Sequence, residues 1–365
     1  MIVVNSIAVA SVRLPLPAPV QLGSLTIKFR DYVVLRLMLS DGAVGFAYGY
    51  DRGLPLFELC TRAVQSYVGE PATDRNRLRK TAMGVTPAPR AAMTRGASLC
   101  DIALWDAWCQ SCSLPLWAAL GASRNQVPVM PVIGYGMTTD VAAEEAASLA
   151  AQGYQILKCM IDGRDIKTDR LLMEMVTEAV PDGVRIGIDA HWSWTTVTEA
   201  LPWCRAAEQV EALFLEDPFA PTQVHTIAEL STRTNVPLAV GEDVIDLHAF
   251  RDLAAAGGLL RVDASVSGGI SGTLDALALA RSFGRPVIPH VFAGLHGHFG
   301  FIDDSVICVE MISQRVAADP IDNFVLERPH IVSGKLQAPR APGVGTALDW
   351  EGLTPFMTRK EECKA

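Results

Sequence analysis

No run of about 18 apolar residues occurs in the chain, so the sequence offers no membrane-spanning helix. Its first residues, MIVVNSIAVASVRLPLP, have no basic stretch ahead of the apolar one. They alternate like a strand and read as structure, not as a secretory signal. Basic residues are in the minority, 31 Lys and Arg against 40 Asp and Glu, which leaves a net charge of −9. Such a surface argues against a general nucleic-acid binder. The 8 cysteines hold a CxxC spacing only at Cys109 and Cys112, without a second pair or a nearby histidine. Zinc and redox motifs need more than that. Reduced, mostly buried thiols are therefore expected, as suits a cytoplasmic protein.

What is present is apolar residue in quantity, 50% of 365 positions. That suits one large domain and a smaller one. Residues 1 to about 50 read as a β-meander. Ile7–Leu14 and Tyr32–Leu39 alternate or run apolar, and Asp41-Gly42 marks a turn before Ala43–Tyr48. Between the first two lies PLPAPVQLGSLTIKF (15–29), rich in Pro and Gly and expected to be a mobile loop. LFELCTRAVQSYV (56–68) and ASLCDIALWDAWCQ (97–110) read as helices. Residues 1–125 are thus expected to form an α+β cap.

From Val127 the rhythm changes. Short apolar runs alternate with amphipathic stretches such as DVAAEEAASLAAQG (140–153) and SGTLDALALARSFG (271–284). The runs are VPVMPVIG (127–134), QILKCM (155–160), RIGIDA (185–190), ALFLED (212–217), VPLAVGED (236–243), LLRVDAS (259–265), RPVIPHV (285–291) and SVICVEM (305–311). Apolar strands alternating with helices imply a parallel sheet covered by helices, and eight such units imply a (β/α)₈ barrel over residues 126–328. A doubly wound sheet is the alternative. The turn-rich segment 329–365 is expected to return to the cap.

In such a barrel the active site lies where the strands end. There the sequence places Lys158 on strand 2, Asp189 and His191 on strand 3, Glu216 on strand 4, Glu242 on strand 5, Asp263 on strand 6, His290 on strand 7 and Glu310 on strand 8. A barrel held by apolar packing alone has no use for this series. Asp189, Glu216 and Glu242 come from adjacent strands, about 4.8 Å apart, and can converge on one ion. Carboxylate oxygens without a thiol or paired histidine favour Mg²⁺, with Mn²⁺ as a substitute. The plainer alternative is that each acid caps the helix that follows it.

These segments together resemble the enolase superfamily, and within it the mandelate racemase subgroup. The resemblance is carried by ASLCDIALWD (97–106), LKCM (157–160), IDAH (188–191), LEDP (215–218), GED (241–243), DASVSGG (263–269), Pro289-His290 and Val309-Glu310. It covers nearly the whole chain, cap included. It implies one Mg²⁺ per subunit on Asp189, Glu216 and Glu242, and a catalytic dyad of His290 and Asp263. It also implies abstraction of a proton α to a carboxylate, and Glu310 as a hydrogen-bond partner of that carboxylate.

Strand 2 departs from the subgroup. Many relatives carry Lys-x-Lys there, and this chain has Lys158-Cys159-Met160. Residues i and i+2 share a face, so Met160 takes the place of the second lysine and cannot transfer a proton. Lys158 is assigned an electrostatic role, binding the substrate carboxylate, with a base as the alternative. His191, half a turn of the barrel from His290, can then act as an acid on the opposite face; the alternative is that it only binds a substrate hydroxyl or packs beside Trp192 and Trp194. That arrangement is similar to acid-sugar dehydratases such as galactonate dehydratase, and it implies loss of water to give a 2-keto-3-deoxy acid. A racemase, epimerase or cycloisomerase is the alternative, and a metal-binding barrel without chemistry is a further one. The substrate is expected to meet Leu22, Phe29, Tyr48 or Tyr50 from cap loops. His296 and His298 fall in a Gly-rich segment, GLHGHFG, read as a loop. Gly268-Gly269 offers backbone N–H groups to an anion. A homo-oligomer is expected, with a small carboxylate as its only other partner.

Overall fold

A computed structural model describes residues 1–22, 25–313 and 315–365. The cap opens with three antiparallel strands, β1 (Val4–Leu22), β2 (Leu25–Leu39) and β3 (Val44–Tyr50), in a sheet where β2 lies between the other two. The segment expected to be a mobile loop is instead strand on both arms. β1 and β2 pair from Val4↔Leu39 out to Leu22↔Leu25, with a register shift between Pro15 and Val20. Pro15, Pro17 and Pro19 are tolerated because the other edge of β1 has its partner only as far as Val12, and an edge strand does not need every N–H. The Leu22 side chain lies outside the described set, and Phe29 is largely exposed.

Four helices follow: α1 (Leu56–Val64), α2 (Arg75–Met83), α3 (Pro87–Ser111) and α4 (Leu116–Leu120). α3 starts ten residues earlier than its apolar pattern, on a proline at its first turn, where the missing N–H is not needed. It lies directly on β3. A Cβ at Gly45 would stand 2.2 Å from the Ala103 carbonyl oxygen, so only glycine lets strand and helix touch.

The barrel strands are β4 (Gln126–Ile133), β5 (Ile156–Met160), β6 (Arg185–Asp189), β7 (Leu215–Glu216), β8 (Leu238–Val240), β9 (Leu259–Val262), β10 (Val287–Pro289) and β11 (Val309–Ile312). Between them run α5 (Thr139–Ala151), α6 (Ile166–Glu178), α7 (Val197–Gln209), α8 (Val224–Ser231), α9 (Leu247–Ala256), α10 (Gly269–Ser282) and α11 (Ala293–Ile302). Neighbours from β4 to β10 pair in parallel and in chain order. β11 pairs in parallel with β4, and Val287 bridges to Val306 just ahead of β11. A first strand paired with the last is barrel topology and excludes the doubly wound sheet. The floor of the barrel is apolar: Met130, Ile156, Phe214, Ala239, Leu259, Ile288 and Cys308 form one buried cluster. Gly187 leaves room for Phe214, whose Cζ would lie 2.2 Å from a Cβ there. Polar side chains are thereby confined to the other end.

The tail divides. β12 (Ile331–Val332) and β13 (Lys335–Gln337) form a hairpin whose second arm runs antiparallel to β4. After the short helix α12 (Trp350–Leu353), β14 (Met357–Lys364) lies along β1 in the cap sheet. No described helix is long and apolar enough to cross a membrane.

Of the two aspartates of the 97–106 segment, Asp101 ties the cap to the barrel and Asp106 ties β3 of the cap to the C-terminal tail. Asp101 accepts from the N–H and hydroxyl of Ser271, each at 2.9 Å. Asp106 accepts from the N–H groups of Phe46 and Val344, each at 2.8 Å. Burial raises the Asp101 carboxyl to about 6 and the Asp106 carboxyl to about 7. Gly268-Gly269 belongs to this seam and is not an anion cradle. The Gly268 N–H donates to Ser98 Oγ at 2.8 Å, and a Cβ on Gly269 would lie 2.4 Å from Asp101 Oδ2.

Candidate metal and acid-base site

The strand ends bring Lys158, Asp189, Glu216, Glu242, Asp263, His290 and Glu310 to one end of the barrel, all buried. Their alternation with apolar neighbours follows from the pleat: β5 buries both faces, and Lys158 and Met160 share the inner one. Met160, paired in register with Asp189, is 6% exposed. It supplies no titratable group where a second lysine would stand.

Lys158 sits among three carboxylates. Its Nζ lies 2.9 Å from Asp189 Oδ2, 3.2 Å from Glu216 Oε1 and 3.1 Å from Glu310 Oε2. Burial opposes its charge, yet Asp189 and Glu216 outweigh burial and hold its pKa above the usual lysine range. Arg261, absent from the expected set, is fully buried beside it. Its Nε donates to Glu216 Oε1 at 2.8 Å, and its Nη2 bonds Glu310 Oε2. The signal was present: a lone arginine in an apolar strand, two residues before Asp263 and so on the same face.

Asp189 is occupied on both oxygens, since Oδ1 accepts the His191 N–H at 2.9 Å. The three acids whose oxygens lie within 4.8 Å of one another are Glu216, Asp217 and Glu242. Glu216 Oε2 and Asp217 Oδ1 are buried and have no hydrogen-bond partner among the described residues. Burial raises both carboxyls; for Asp217 the charges of Glu242 and Glu216 raise it further. An unpaired buried carboxylate costs several kcal/mol, on the order of what a bound cation offsets. Hard oxygen donors left without partners fit a divalent ion such as Mg²⁺.

Glu242 faces the cap. Arg52, just beyond β3, places Nη1 and Nη2 each 3.1 Å from Glu242 Oε1. Nη1 also lies 2.9 Å from Asp243 Oδ2, and Arg95 of α3 holds the other Asp243 oxygen at 2.7 Å. Burial works against the Glu242 charge, but His290 and Arg52 prevail and keep the carboxyl below its usual range.

His290 completes the cluster. Its Nδ1 is 2.9 Å from Asp263 Oδ2, and its Nε2 is 3.3 Å from Glu242 Oε2 and 3.4 Å from Arg52 Nη2. Asp263 is fixed in turn by the Ser265 N–H and hydroxyl on Oδ1, at 2.8 and 2.7 Å. Burial alone would raise its carboxyl; the hydrogen bond and charge of His290 bring it down to about 2. The fixed Nδ1 contact leaves Nε2 as the nitrogen that faces the site. Tyr50 borders the imidazole, ring centroids 6.4 Å apart. Its hydroxyl, and that of Tyr32, bond the buried Asp319 carboxylate.

His191 follows Asp189 in a left-handed turn, with φ of 47° at His191 and 56° at Trp192. Its half-buried ring rests on Trp192 at 4.5 Å between centroids. Left-handed φ recurs at Asp217, Val291 and Phe292, so the backbone is strained where three strands leave the barrel. His296 and His298 are not in a loop. Both are fully buried in α11. His296 takes a hydrogen bond from the Ala264 N–H at 3.0 Å and gives one to the Val291 carbonyl at 2.7 Å, which supports the turn beyond His290. His298 accepts from the Trp117 N–H at 3.2 Å, and burial lowers it to about 3.

Fold and site together define a capped (β/α)₈ barrel with a carboxylate cluster and an imidazole–carboxylate pair at its mouth. Residues 5–121 match the mandelate racemase / muconate lactonizing enzyme N-terminal domain, and residues 141–352 match the enolase C-terminal domain-like family. The chain belongs to this family, the mandelate racemase subgroup of the enolase superfamily. It is similar to the D-galactonate dehydratase of Xanthomonas euvesicatoria, 24% identical over 88% of this chain and 90% of that one. It is also similar to the 3,6-anhydro-alpha-L-galactonate cycloisomerase of Streptomyces coelicolor, 26% identical over 71% of each chain. The L-talarate dehydratase of Polaromonas, solved with Mg and L-glucarate, superposes over 100% of both chains with a TM-score of 0.88 at 22% identity.

Proposed function

We propose that this protein is a Mg²⁺-dependent dehydratase of acid sugars, with His290 as the base. The single observation that carries the reading is the His290–Asp263 pair at 2.9 Å, set beside acids that leave buried oxygens unpartnered. Asp189, Glu216 and Glu242 would hold the ion. When bound, Mg²⁺ supplies positive charge that stabilises the negative charge developing on the substrate carboxylate.

His290 Nε2 removes the α-proton while Asp263 holds Nδ1–H and stabilises the imidazolium. Lys158 places a permanent positive charge at the same end of the barrel. Its three carboxylate contacts favour that role over proton transfer. Glu310, held by Lys158 and Arg261, is assigned to hydrogen-bond the substrate carboxylate, a role in which its carboxyl must carry the proton it donates. His191, in the turn just beyond β6 and half a ring away from His290, protonates the departing β-hydroxyl. Water leaves, and the enol tautomerises to a 2-keto-3-deoxy acid.

Met160 favours elimination over two-base racemisation, because the face opposite His290 lacks a lysine there. The cycloisomerase relative keeps an isomerase as the second reading, with the same first step and a different fate for the carbanion.

The test is a screen of acid sugars with Mg²⁺, reading 2-keto-3-deoxy product. Deuterium exchange at Cα in D₂O without loss of water supports the isomerase instead. Full activity after chelation and metal stripping sinks the metal-dependent reading.

A further inference from the structure

Among the described residues, Arg30 of β2 keeps its terminal donors unspent at the barrel mouth. Lys158, Arg261 and Arg52 give theirs to Glu216, Glu310, Glu242 and Asp243. The Arg30 Nε donates to the Ala318 carbonyl at 3.0 Å. No described residue accepts from its Nη1 or Nη2, and no described carboxylate forms an ion pair with it. The side chain is half-buried, so its charge is only partly screened by water.

The register of the cap sheet turns Arg30 towards the site. Arg30 and Tyr32 stand two positions apart on β2 and share a face, and Tyr50 on β3 is the partner of Tyr32. The two tyrosine rings lie 5.4 Å apart between centroids, and both hydroxyls end on Asp319. The Tyr50 ring, fixed in this way, has the Arg30 guanidinium carbon 5.1 Å from its centre and the His290 ring 6.4 Å away. Arg30 therefore stands from His290 by no more than those two lengths end to end. The ring attracts the guanidinium, so the arginine is placed before any ligand arrives. Tyr135, just past β4, feels both ends of this space. Burial pushes its hydroxyl up to about 12, with the charges of Lys158 and Arg30 acting against burial and those of Asp189 and Glu242 adding to it.

We infer that Arg30 is a subsite for a second carboxylate, and that the substrate is an aldaric acid, a diacid, in preference to the aldonic acid of the same configuration. The inference rests on the dehydratase reading above and narrows its substrate class. The proton leaves the α-carbon beside His290. In a six-carbon diacid the far carboxyl carbon lies four C–C bonds of about 1.5 Å further on. With a contact of about 2.8 Å at each end, that length suits the limit set by Tyr50. A guanidinium offers two parallel N–H groups that fit both oxygens of a carboxylate. The hydroxymethyl end of an aldonic acid brings a neutral oxygen and leaves the charge unmatched. A terminal phosphate brings nearly two negative charges against the single positive one of Arg30.

The experiment pairs every six-carbon aldaric acid with the aldonic acid of the same configuration, as galactarate with D-galactonate. Steady-state kinetics on the full-length protein with Mg²⁺ reads 2-keto-3-deoxy product. A diacid is expected to exceed its monoacid at least tenfold in kcat/KM. Arg30→Met, similar in reach and neutral, is expected to lose that ratio, mostly through a higher KM for the diacid, with the monoacid little changed. The same loss of preference is expected in Kd, measured by calorimetry in the His290→Asn background, where the acids are not consumed. A merely structural arginine would weaken both acids alike and lower the melting temperature. Where the Met variant does not fold, Arg30→Gln carries the same expectation. If monoacids are dehydrated as well as their diacids, or if the variant keeps the ratio in either measurement, Arg30 is no carboxylate subsite and the dehydratase reading stands. If no acid sugar of either kind is dehydrated, that reading falls and the inference with it.

Discussion

Arg52 and Glu242 meet across the seam between cap and barrel, with both terminal guanidinium nitrogens 3.1 Å from one carboxylate oxygen. The arginine lies 190 positions from its partner in sequence. It therefore reports on how the cap is seated, and it neutralises an acid proposed to hold the metal.

A guanidinium and a metal ion on the same oxygen repel each other. Arg52→Met is accordingly expected to raise Mg²⁺ affinity roughly three- to tenfold, since a competing cation is removed from a poorly screened site. Calorimetric titration of the substrate-free protein measures this. Weaker binding in the variant would show that Arg52 builds the site instead of competing for it.

His290→Asn should abolish α-proton exchange, and Asp263→Asn should slow it by about 10²–10⁴, the usual worth of positioned acid–base chemistry. Deuterium incorporation in D₂O, followed by NMR, reads both. An Asp263→Asn enzyme exchanging at the wild-type rate would remove Asp263 from the chemistry.

His191 separates the two halves of the proposed reaction. His191→Asn is expected to block product formation while α-proton exchange continues. Undiminished dehydration in that variant would end the acid assignment.

Asp106 gives a pH signature in stability. Burial raises its carboxyl from 3.8 to about 7 in the folded protein. Between those values the folded state keeps a proton that the unfolded state has lost, so this group's contribution to stability falls as pH rises from about 4 to about 7. Asp106→Asn cannot titrate, though it forfeits one of the two N–H acceptors. It should therefore cost less stability at pH 8 than at pH 5 in urea melts. An equal loss at both pH values would mean that Asp106 is ionised in the fold throughout.

Local pattern carried the strands and the helices between them, because alternation and amphipathic spacing are properties of short segments. It also carried Lys158, Asp189, Glu216, Glu242, Asp263, His290 and Glu310, each of which ends an apolar run or lies beside its last residue. It misread PLPAPVQLGSLTIKF, since proline marks a loop only where both edges of a strand need their N–H groups, and β1 leaves one edge unpaired beyond Val12. It misread GLHGHFG for a similar reason. Glycine density looks like a loop, yet Gly297 and Gly300 let α11 press against Leu336 and Val127.

The chain by itself determined a parallel barrel with ionisable strand ends, because each end is fixed by its own few residues. Only the tertiary structure decided which of those groups are already neutralised and which keep a buried oxygen without a partner among the described residues. Lys158 takes Asp189 across one strand, Arg261 takes Glu216 across two, and Arg52 comes from the cap to Glu242. Asp217 enters through a left-handed turn that no periodicity encodes. Those pairings join residues from about 30 to 190 positions apart, and a charge has a partner only once the fold has placed one beside it.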